Sequence, residues 1–202
     1  KGHPVSPSAI AALVAERELA REPGSTVIHN LITSKAVPEI IRENGGEPVR
    51  TRVGHSFIKA KMAETNAVFG GEHSAHYYFR DFWRADSGML AAMHVLAALG
   101  QQDKPLSEMM AKYNRYAASG EINSRLDSAE AQADRTEAVV KAFADRAENV
   151  DRLDGVTVEL KDGNWFNVRA SNTEPLLRLN VEADTQEAVD ALVKEILAII
   201  RA

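Results

Sequence analysis

The chain of 202 residues contains no cysteine. That absence excludes disulfides, thiolate nucleophiles and thiolate metal sites, and it is consistent with a reducing compartment. The sequence also lacks a run of about 20 apolar residues, the length that a membrane-spanning helix needs. Its beginning does not carry the charged and then apolar segments of a secretory signal. We therefore expect a soluble, cytoplasmic protein with no membrane partner.

Basic residues are fewer than acidic ones: the chain has 24 lysines and arginines and 29 aspartates and glutamates, which gives a net charge of -5. Such a chain exerts no long-range attraction on polyanions, and it has no basic stretch interleaved with aromatic residues. Nucleic acid is therefore not an expected partner. The Walker-type phosphate loop, the dinucleotide glycine fingerprint and the Gly-x-Ser-x-Gly elbow are also absent. Any phosphate must be bound by a local cluster of donors.

Helical and strand patterns alternate over the first 115 residues. Ser6 and Pro7 precede an apolar stripe at helical spacing that ends near Gly24, as expected of a capped helix. Strands are then predicted at 26–30, 48–51, 67–69 and 76–79, and helices at 37–43, 56–64 and 87–99. The alternation predicts an α/β domain over residues 1–115, with a mixed sheet flanked by helices. The stripe formed by Met89, Met93 and Leu96 is expected in its core.

From Tyr116 onwards the pattern changes to strands joined by short turns. One strand and a polar helix at 131–146 precede strands at 156–160, 165–168 and 176–181 and a last helix at 186–200. The turn at 161–164 joins its strands as a hairpin, and strands joined in that way are antiparallel. Residues 116–202 are therefore predicted to form an α+β domain with an antiparallel sheet and covering helices.

One loop between two predicted strands is rich in anion-binding groups, because Arg169, Ser171, Asn172 and Thr173 stand within five residues. They offer a guanidinium, hydroxyl and amide donors and backbone N–H groups, the set that a phosphate dianion needs. The same residue types are ordinary in surface turns, where they hydrogen-bond their own backbone. Composition alone favours the turn.

A second loop, from Gly70 to His76, follows a strand. Its glycines let the backbone approach a ligand, and Glu72 and Ser74 are placed to accept from and donate to sugar hydroxyls. A tight turn with polar side chains is the alternative. A zinc site at His73 and His76 has neither cysteine nor a third ligand at a useful spacing, so we expect no metal here.

A third loop, at 52–56, joins a strand to a helix. An anion near that helix start would meet free N–H groups, and His55 is suited to carry a proton near neutral pH. The alternative is a turn in which His55 or Ser56 caps the helix. Lys35, which follows Thr33 and Ser34, is a further candidate, although a lone lysine is usually only exposed.

The three loops, in this order, resemble signatures of the α-D-phosphohexomutases. They read Val-Gly-His-Ser-Phe-Ile-Lys at 53–59, Gly-Glu-His-Ser-Ala-His at 71–76 and Arg-Ala-Ser-Asn-Thr-Glu-Pro at 169–175. The resemblance is closest to the bacterial phosphomannomutase/phosphoglucomutase branch and runs over essentially the whole chain. In that family four domains surround one cleft. The resemblance implies that this chain is a carboxy-terminal half, with the third, mixed α/β domain followed by the fourth, antiparallel one.

The resemblance also implies residue roles. His55 matches an active-site histidine that assists proton transfer or holds the bridging oxygen, and Lys35 resembles a nearby active-site lysine. Glu72 and Ser74 resemble the pair that reads the sugar hydroxyls, and His76 follows in the same substrate-binding loop. The residues implied to bind the phosphate that is not transferred are Arg169, Ser171, Asn172, Thr173 and Arg178. One departure is Ala75, which stands where many relatives have glycine and is expected to change loop flexibility more than specificity.

The activity implied is that of an isomerase that interconverts hexose 1-phosphate and hexose 6-phosphate through a bisphosphate, with a phosphoserine as donor and Mg²⁺ neutralising the moving group. The serine loop and the Asp-rich magnesium loop are not in this sequence. We therefore expect a chain that is inactive alone and whose partners are mannose or glucose phosphates and the missing amino-terminal domains. Two alternatives stay open: a non-catalytic sugar-phosphate-binding module, and a fragment of a phosphoglucosamine mutase, in which aspartate usually stands at the position of His55.

Overall fold

The computed structural model describes residues 2–171 and 174–202. The chain divides after Arg115 into two compact units. Within the described ranges, no helix is both long and apolar enough to cross a membrane.

The first unit contains a mixed sheet of five strands in the order β2-β1-β3-β4-β5. Its elements in chain order are α1 (Pro7–Arg21), β1 (Thr26–Asn30), α2 (Ala36–Glu43), β2 (Glu47–Thr51), α3 (His55–Thr65), β3 (Phe69–Gly71), β4 (Tyr77–Phe79), β5 (Ala85–Asp86), α4 (Gly88–Gly100) and α5 (Leu106–Ala111). Strand β1 is parallel to β2 and β3, whereas β4 is antiparallel to β3 and β5. The predicted mixed sheet flanked by helices is confirmed.

Two adjacent glycines show how helices cover both faces of this sheet. Successive residues of a strand point to opposite faces. A Cβ on Gly70 would lie 3.1 Å from the side chain of Ile58 in α3, and one on Gly71 would lie 2.7 Å from Ala11 in α1. Strand β3 therefore lies between α3 and α1, and its glycines allow both helices to approach. The sequence suggested a strand at 67–69, but β3 extends through this glycine pair.

The face of α4 that carries Met89, Met93 and Leu96 is not in the core. These side chains are 75%, 56% and 60% exposed, so the prediction that they form core was wrong. The buried residue of α4 is Ala91, at 2% exposed. Nearly every position of this helix is apolar, so a stripe at helical spacing exists on more than one face and does not identify the packed one. The short elements β5 and α5 were not predicted, because two and six residues show no usable periodicity.

The second unit is built on an antiparallel sheet with the strand order β6-β11-β10-β9-β8, in which β7 also pairs with β11. Its elements are β6 (Ala117–Ala118), β7 (Ile122–Arg125), α6 (Ala129–Phe143), β8 (Ala147–Asp151), β9 (Val156–Leu160), β10 (Trp165–Ala170), β11 (Leu176–Ala183) and α7 (Gln186–Ile200). The predicted antiparallel sheet with covering helices is confirmed. Strand β8 was not predicted, because its middle residues are exposed and show no apolar alternation.

Alternation along β10 and β11 separates an apolar face from a polar one. Phe166 and Val168 of β10 are buried in one core with Leu177 and Leu179 of β11, against residues of α6 and α7. Successive residues of a strand point to opposite faces. Because Arg169 directly follows Val168, it lies on the face of the sheet opposite the helices.

Candidate functional site

Two of the predicted loops, at 52–56 and 70–76, meet the loop that ends at Lys35 at one edge of the first sheet. Because β1, β2 and β3 are parallel, the loops that follow them leave from the same edge, where ligands commonly bind in α/β folds. Lys35 ends the loop after β1, His55 follows β2 and begins α3, and the turn at 72–76 follows β3. The structure brings two of the predicted residues into contact, because the rings of His55 and His76 have centroids 4.4 Å apart.

His55 is the first residue of α3 and is exposed. The helix is capped by Gly54, which has a φ of 131°, and it has no side-chain cap. The alternative in which His55 or Ser56 caps this helix was therefore wrong. The His55 side chain is left to make other contacts, and its Nδ1 lies 2.6 Å from the hydroxyl of Tyr78.

The Tyr78 hydroxyl that contacts His55 belongs to a buried chain of hydrogen bonds. The Tyr78 hydroxyl also lies 2.6 Å from Glu72 Oε1, and Asn30 Nδ2 donates to Glu72 Oε2 at 3.1 Å. Thr33 Oγ1 in turn donates to Asn30 Oδ1 at 2.7 Å. Glu72 is only 2% exposed, so its carboxylate is the buried centre of this network. Burial and the hydrogen bond to Glu72 raise the pKa of Tyr78, which keeps the phenol protonated.

His76 is oriented by a different carboxylate. Its Nδ1 lies 2.7 Å from Asp86 Oδ2, and the backbone N–H of Tyr77 donates to Asp86 Oδ1 at 2.8 Å. Sequence reasoning missed Asp86, because an acidic residue just before a helix start is ordinary. Only the pairing of β4 with β5, which sets Tyr78 opposite Asp86, brings this carboxylate beside the loop.

The two histidines and Asp86 each offer one ligand atom, and these atoms lie within 4.8 Å of one another. Among residues 2–171 and 174–202, this is the one group of three or more such side chains. Two nitrogens and one oxygen do not suit Mg²⁺, which prefers oxygen ligands. Asp86 already accepts from His76 and from the backbone, an arrangement that orients an imidazole for proton transfer. His73 lies apart from the group, with its Nδ1 3.1 Å from Ser8 Oγ.

The turn that carries the sugar-reading candidates is closed by its own backbone. Glu72 N donates to His76 O at 2.9 Å, and Ala75 N donates to Glu72 O at 3.2 Å. Ala75 has a φ of 66°, in the left-handed region that favours glycine. Ser74 is exposed in this turn, whereas Glu72 points into the protein. Ser74 is thus the more accessible of the two predicted sugar contacts.

In the second unit, two of the predicted phosphate residues face each other. Arg169 of β10 and Arg178 of β11 are direct cross-strand neighbours. Like charges placed in this way repel each other, and Arg169 is only 7% exposed. Among the residues that the structure describes, the buried Nε atoms of both arginines have no hydrogen-bond partner. A buried guanidinium donor without a partner is costly, so this pair is suited to receive an anion.

The arginine pair is also contacted by Ser171, Glu121 and Glu174, the last with its Oε2 3.9 Å from Arg178 Nη2. Arg178 Nη2 donates to Ser171 Oγ at 3.2 Å. Glu121 lies across both guanidiniums, 4.0 Å from Arg169 Nη2 and 3.3 Å from Arg178 Nη1. Sequence reasoning missed Glu121, since it lies far from the loop in sequence and reaches it through the β7–β11 pairing. Asn172 and Thr173, also predicted to bind phosphate, lie outside the described residues.

Gly155 allows the turn before β9 to lie directly against Arg169. Its φ is 66°, and a Cβ at this position would lie 2.3 Å from Val168 O and 2.8 Å from Arg169 Cα. These contacts are with backbone atoms, which cannot move aside as a flexible side chain can. The position of Arg169 in the sheet therefore depends on a glycine 14 residues earlier.

Both units match family models. Residues 6–116 match the model described as phosphoglucomutase/phosphomannomutase, alpha/beta/alpha domain III. Residues 121–199 match the model described as phosphoglucomutase/phosphomannomutase, C-terminal domain.

Relatives match the chain over nearly its whole length. A phosphomannomutase of Methanocaldococcus jannaschii is 39% identical over 191 residues, which cover 95% of this chain and 41% of that protein. A phosphomannomutase of Escherichia coli is 39% identical over 195 residues, covering 95% and 42%. The solved structure of a phosphoglucomutase/phosphomannomutase family protein from Burkholderia thailandensis is similar with a TM-score of 0.82 at 29% identity, over 99% of this chain and 43% of that one. The chain spans about two fifths of the length of these relatives.

Proposed function

This chain belongs to the phosphoglucomutase/phosphomannomutase family, and on that premise we propose that it is the recognition part of an enzyme that interconverts hexose 1-phosphates and hexose 6-phosphates. In such a reaction one phosphoryl group is transferred while a second phosphate stays on the sugar of the bisphosphate intermediate. Catalysis then depends on positioning and charge stabilisation. The chain would supply a binding site for the phosphate that is not transferred, groups that donate and accept protons, and contacts to the sugar.

The observation that carries the proposal is the pair Arg169 and Arg178. Two opposed guanidiniums with unpartnered Nε atoms among the described residues are stabilised by a dianion that accepts from both. Ser171 adds a hydroxyl beside Arg178. Asn172 and Thr173 are included in the proposed phosphate loop because of their sequence alone.

Proton handling is assigned to the first unit. His76 with Asp86 forms a carboxylate-oriented imidazole, the arrangement of a general acid or base. His55, in edge contact with His76, is the second proton carrier. Lys35 is proposed as a cation at the same sheet edge, where a protonated amine stabilises developing negative charge.

Sugar recognition is assigned to the turn at 72–76. The exposed Ser74 is the direct contact to a sugar hydroxyl. Two of the acceptor positions of the Glu72 carboxylate are taken by Asn30 and Tyr78, and a carboxylate has about four such positions. Glu72 thus keeps acceptor capacity for a hydroxyl while it holds the turn in place.

The chemical donor and the metal are assigned to segments of the relatives that this chain does not match. One structural neighbour, an Aspergillus fumigatus N-acetylphosphoglucosamine mutase, was solved with GlcNAc-6P and magnesium, and at 15% identity it shares the fold only. The cluster of His55, His76 and Asp86 does not fit Mg²⁺, so we derive no step through the metal. We propose a cytoplasmic location, where hexose phosphates are metabolised.

Calorimetric titration of the chain with mannose 6-phosphate, mannose 1-phosphate and inorganic phosphate tests the phosphate assignment. Replacing Arg169 with alanine removes one guanidinium of the pair, and we expect affinity to fall by about 10-fold or more, since hydrogen bonds to charged groups contribute roughly 1.5–3 kcal/mol. The matched control is Arg152→Ala, which removes an arginine of the same unit that is paired with Glu137. Equal affinities of the two variants would show that the loop does not bind phosphate.

The purified chain is expected to show no mutase turnover, because it contains neither the serine loop nor the magnesium loop that the family resemblance implies. A coupled assay for glucose 6-phosphate formation from glucose 1-phosphate checks this. Turnover that survives removal of every full-length contaminant would contradict the assignment of the chemistry to other segments.

A further inference from the structure

Tyr78 lies in the middle of β4, where the sequence shows only an aromatic strand residue. It is fully buried in an apolar cluster with Ile28, Ile58 and Met62. Its hydroxyl nevertheless makes two short polar contacts, each of 2.6 Å, to Glu72 Oε1 and to His55 Nδ1. A phenylalanine would fill the same apolar space, so the hydroxyl is the part of this residue that needs an explanation.

The two contacts of Tyr78 need two protons, and the hydroxyl has only one. Asn30 donates a second hydrogen bond to Glu72 and accepts one from Thr33 at Oδ1. The reversed amide would place its oxygen against the carboxylate. Two donors therefore converge on Glu72, as expected for an ionised carboxylate that only accepts. The Tyr78 proton is directed to Glu72, and the contact to His55 is left to a proton on the imidazole.

We propose that Tyr78 is a positioning residue that holds neutral His55 as the tautomer protonated at Nδ1, so that Nε2 is the atom that takes and returns a proton. The inference deepens the role given to His55 under the proposed function and rests on it for its catalytic meaning. In this tautomer Nδ1 carries a proton in the neutral ring, and it also carries one in the cation. The same hydrogen bond therefore holds the ring in both states, and His55 does not turn when Nε2 is protonated.

His76 provides the comparison within the same cluster. Its Nδ1 faces the carboxylate of Asp86 directly, whereas His55 faces a neutral phenol with the Glu72 carboxylate behind it. Both arrangements favour protonation at Nδ1, but only that of His55 depends on Tyr78. Removal of the Tyr78 hydroxyl should therefore change one histidine and leave the other unchanged.

The test uses the chain with ¹⁵N-labelled histidine and long-range ¹H–¹⁵N correlation spectra at a pH where the rings are neutral. His55 is assigned through the loss of its signals in His55→Gln. We expect its Nδ1 at the shift of a protonated ring nitrogen and its Nε2 at the shift of an unprotonated one. In Tyr78→Phe we expect His55 to lose this pattern and to show averaged or exchanged shifts, while His76 keeps its own.

Tyr77→Phe is the matched control, because the neighbouring hydroxyl donates to Pro7 O at 3.2 Å and lies outside the network. It should leave the His55 pattern unchanged. A proton on His55 Nε2 in the unsubstituted chain would overturn the proposal, and so would an unchanged His55 pattern in a folded Tyr78→Phe variant. The spectrum of the unsubstituted chain decides even if Tyr78→Phe does not fold. Because this readout needs neither phosphate binding nor turnover, it can fail or succeed separately from the proposed function.

Discussion

The two candidate sites differ in how far the protein itself satisfies their polar groups. In the candidate site of the first unit, both histidines have Nδ1 beside an oxygen, supplied by Tyr78 for His55 and by Asp86 for His76. In the second, Arg169 and Arg178 face each other with both buried Nε atoms unpartnered among the described residues. The first site is preorganised by internal hydrogen bonds, and the second is left with unused donors.

This difference follows from the chemistry proposed for each unit. A group that moves protons must keep one orientation before the substrate arrives, so its partners are built into the fold. A group that binds a dianion needs free donors, and internal partners would have to be displaced by the ligand. Glu121, which lies across both guanidiniums, is a partial counter-ion that bound phosphate would compete with.

The largest expected effect comes from the glycine that supports the arginine pair. Gly155→Ala should lower the free energy of unfolding of the second unit by about 3 kcal/mol or more, because the new Cβ meets the backbone of Val168 and Arg169 at a φ of 66°. Denaturant unfolding, followed by Trp165 fluorescence in a Trp83→Phe background, measures it. The control is Gly120→Ala, at the same φ of 66° but with open space around the Cβ, for which about 1 kcal/mol is expected. Equal costs would show that Gly155 does not set this contact.

The next largest effect is the pH dependence that the buried His29 gives to the free energy of unfolding of the first unit. Burial lowers the pKa of His29 to about 4, from an ordinary value near 6.5. The unfolded chain therefore binds a proton that the folded one does not between these values. The stability from neutral His29 is complete above pH 6.5 and is lost as pH falls towards 4, by at most roughly 3 kcal/mol.

This loss is measured by denaturant unfolding at pH 7 and at pH 4.5. The proteins compared are the unsubstituted chain, His29→Gln and His3→Gln. His29→Gln should show the smaller pH dependence, whereas substitution of the exposed His3 should leave it as it was. If all three proteins lose stability equally on acidification, His29 is not the buried neutral histidine described above.

A smaller effect concerns the counter-ion of the arginine pair. Glu121→Gln removes the carboxylate that competes with phosphate, and we expect the affinity for inorganic phosphate to rise by roughly 3- to 5-fold, the range of a partly exposed ion pair. Calorimetry measures it. Glu137→Gln, which removes a carboxylate paired with Arg152 in the same unit, should leave the affinity unchanged. Weaker binding in Glu121→Gln would mean that Glu121 supports the site instead of competing with its ligand.

The smallest effect concerns the strained turn of the first site. Ala75 has a φ of 66°, and glycine at this position should stabilise the chain by about 0.5 kcal/mol, since the steric cost of an L residue exceeds the entropy that glycine adds to the unfolded state. Thermal unfolding measures the change. Ala60→Gly, in the middle of α3, should destabilise by about 1 kcal/mol. A destabilising Ala75→Gly would show that the turn is not strained.

Much of the fold could be predicted from the sequence, because the long elements carry clear periodicity. The mixed sheet and the antiparallel sheet follow from alternating and hairpin patterns, and the family resemblance, read from three loops, is confirmed by matches to both of its models. The face of α4 could not be predicted, since an almost wholly apolar helix has no unique apolar side. Short strands such as β5 have too few residues to show a pattern.

The candidate site was predictable in part. His55 and Ser74 were predicted as site residues because their loops combine glycine with polar side chains, and Arg169 because its loop is rich in hydrogen-bond donors. Asp86, Tyr78 and Glu121 were missed as site residues, since each reaches its partner only through strand pairing that brings distant positions together. Nothing in the local sequence distinguishes these three from a helix-start acid, a core aromatic residue and a surface glutamate.

The most direct test of the division between the two units is an NMR titration of the ¹⁵N-labelled chain with inorganic phosphate. Phosphate should shift the Nε–Hε signals of Arg169 and Arg178 and leave the ring signals of His55 and His76 unchanged, because, of the described residues in the two candidate sites, the arginines are the ones with unpartnered Nε donors. Shifts of the histidine rings with unchanged arginine signals would contradict the account.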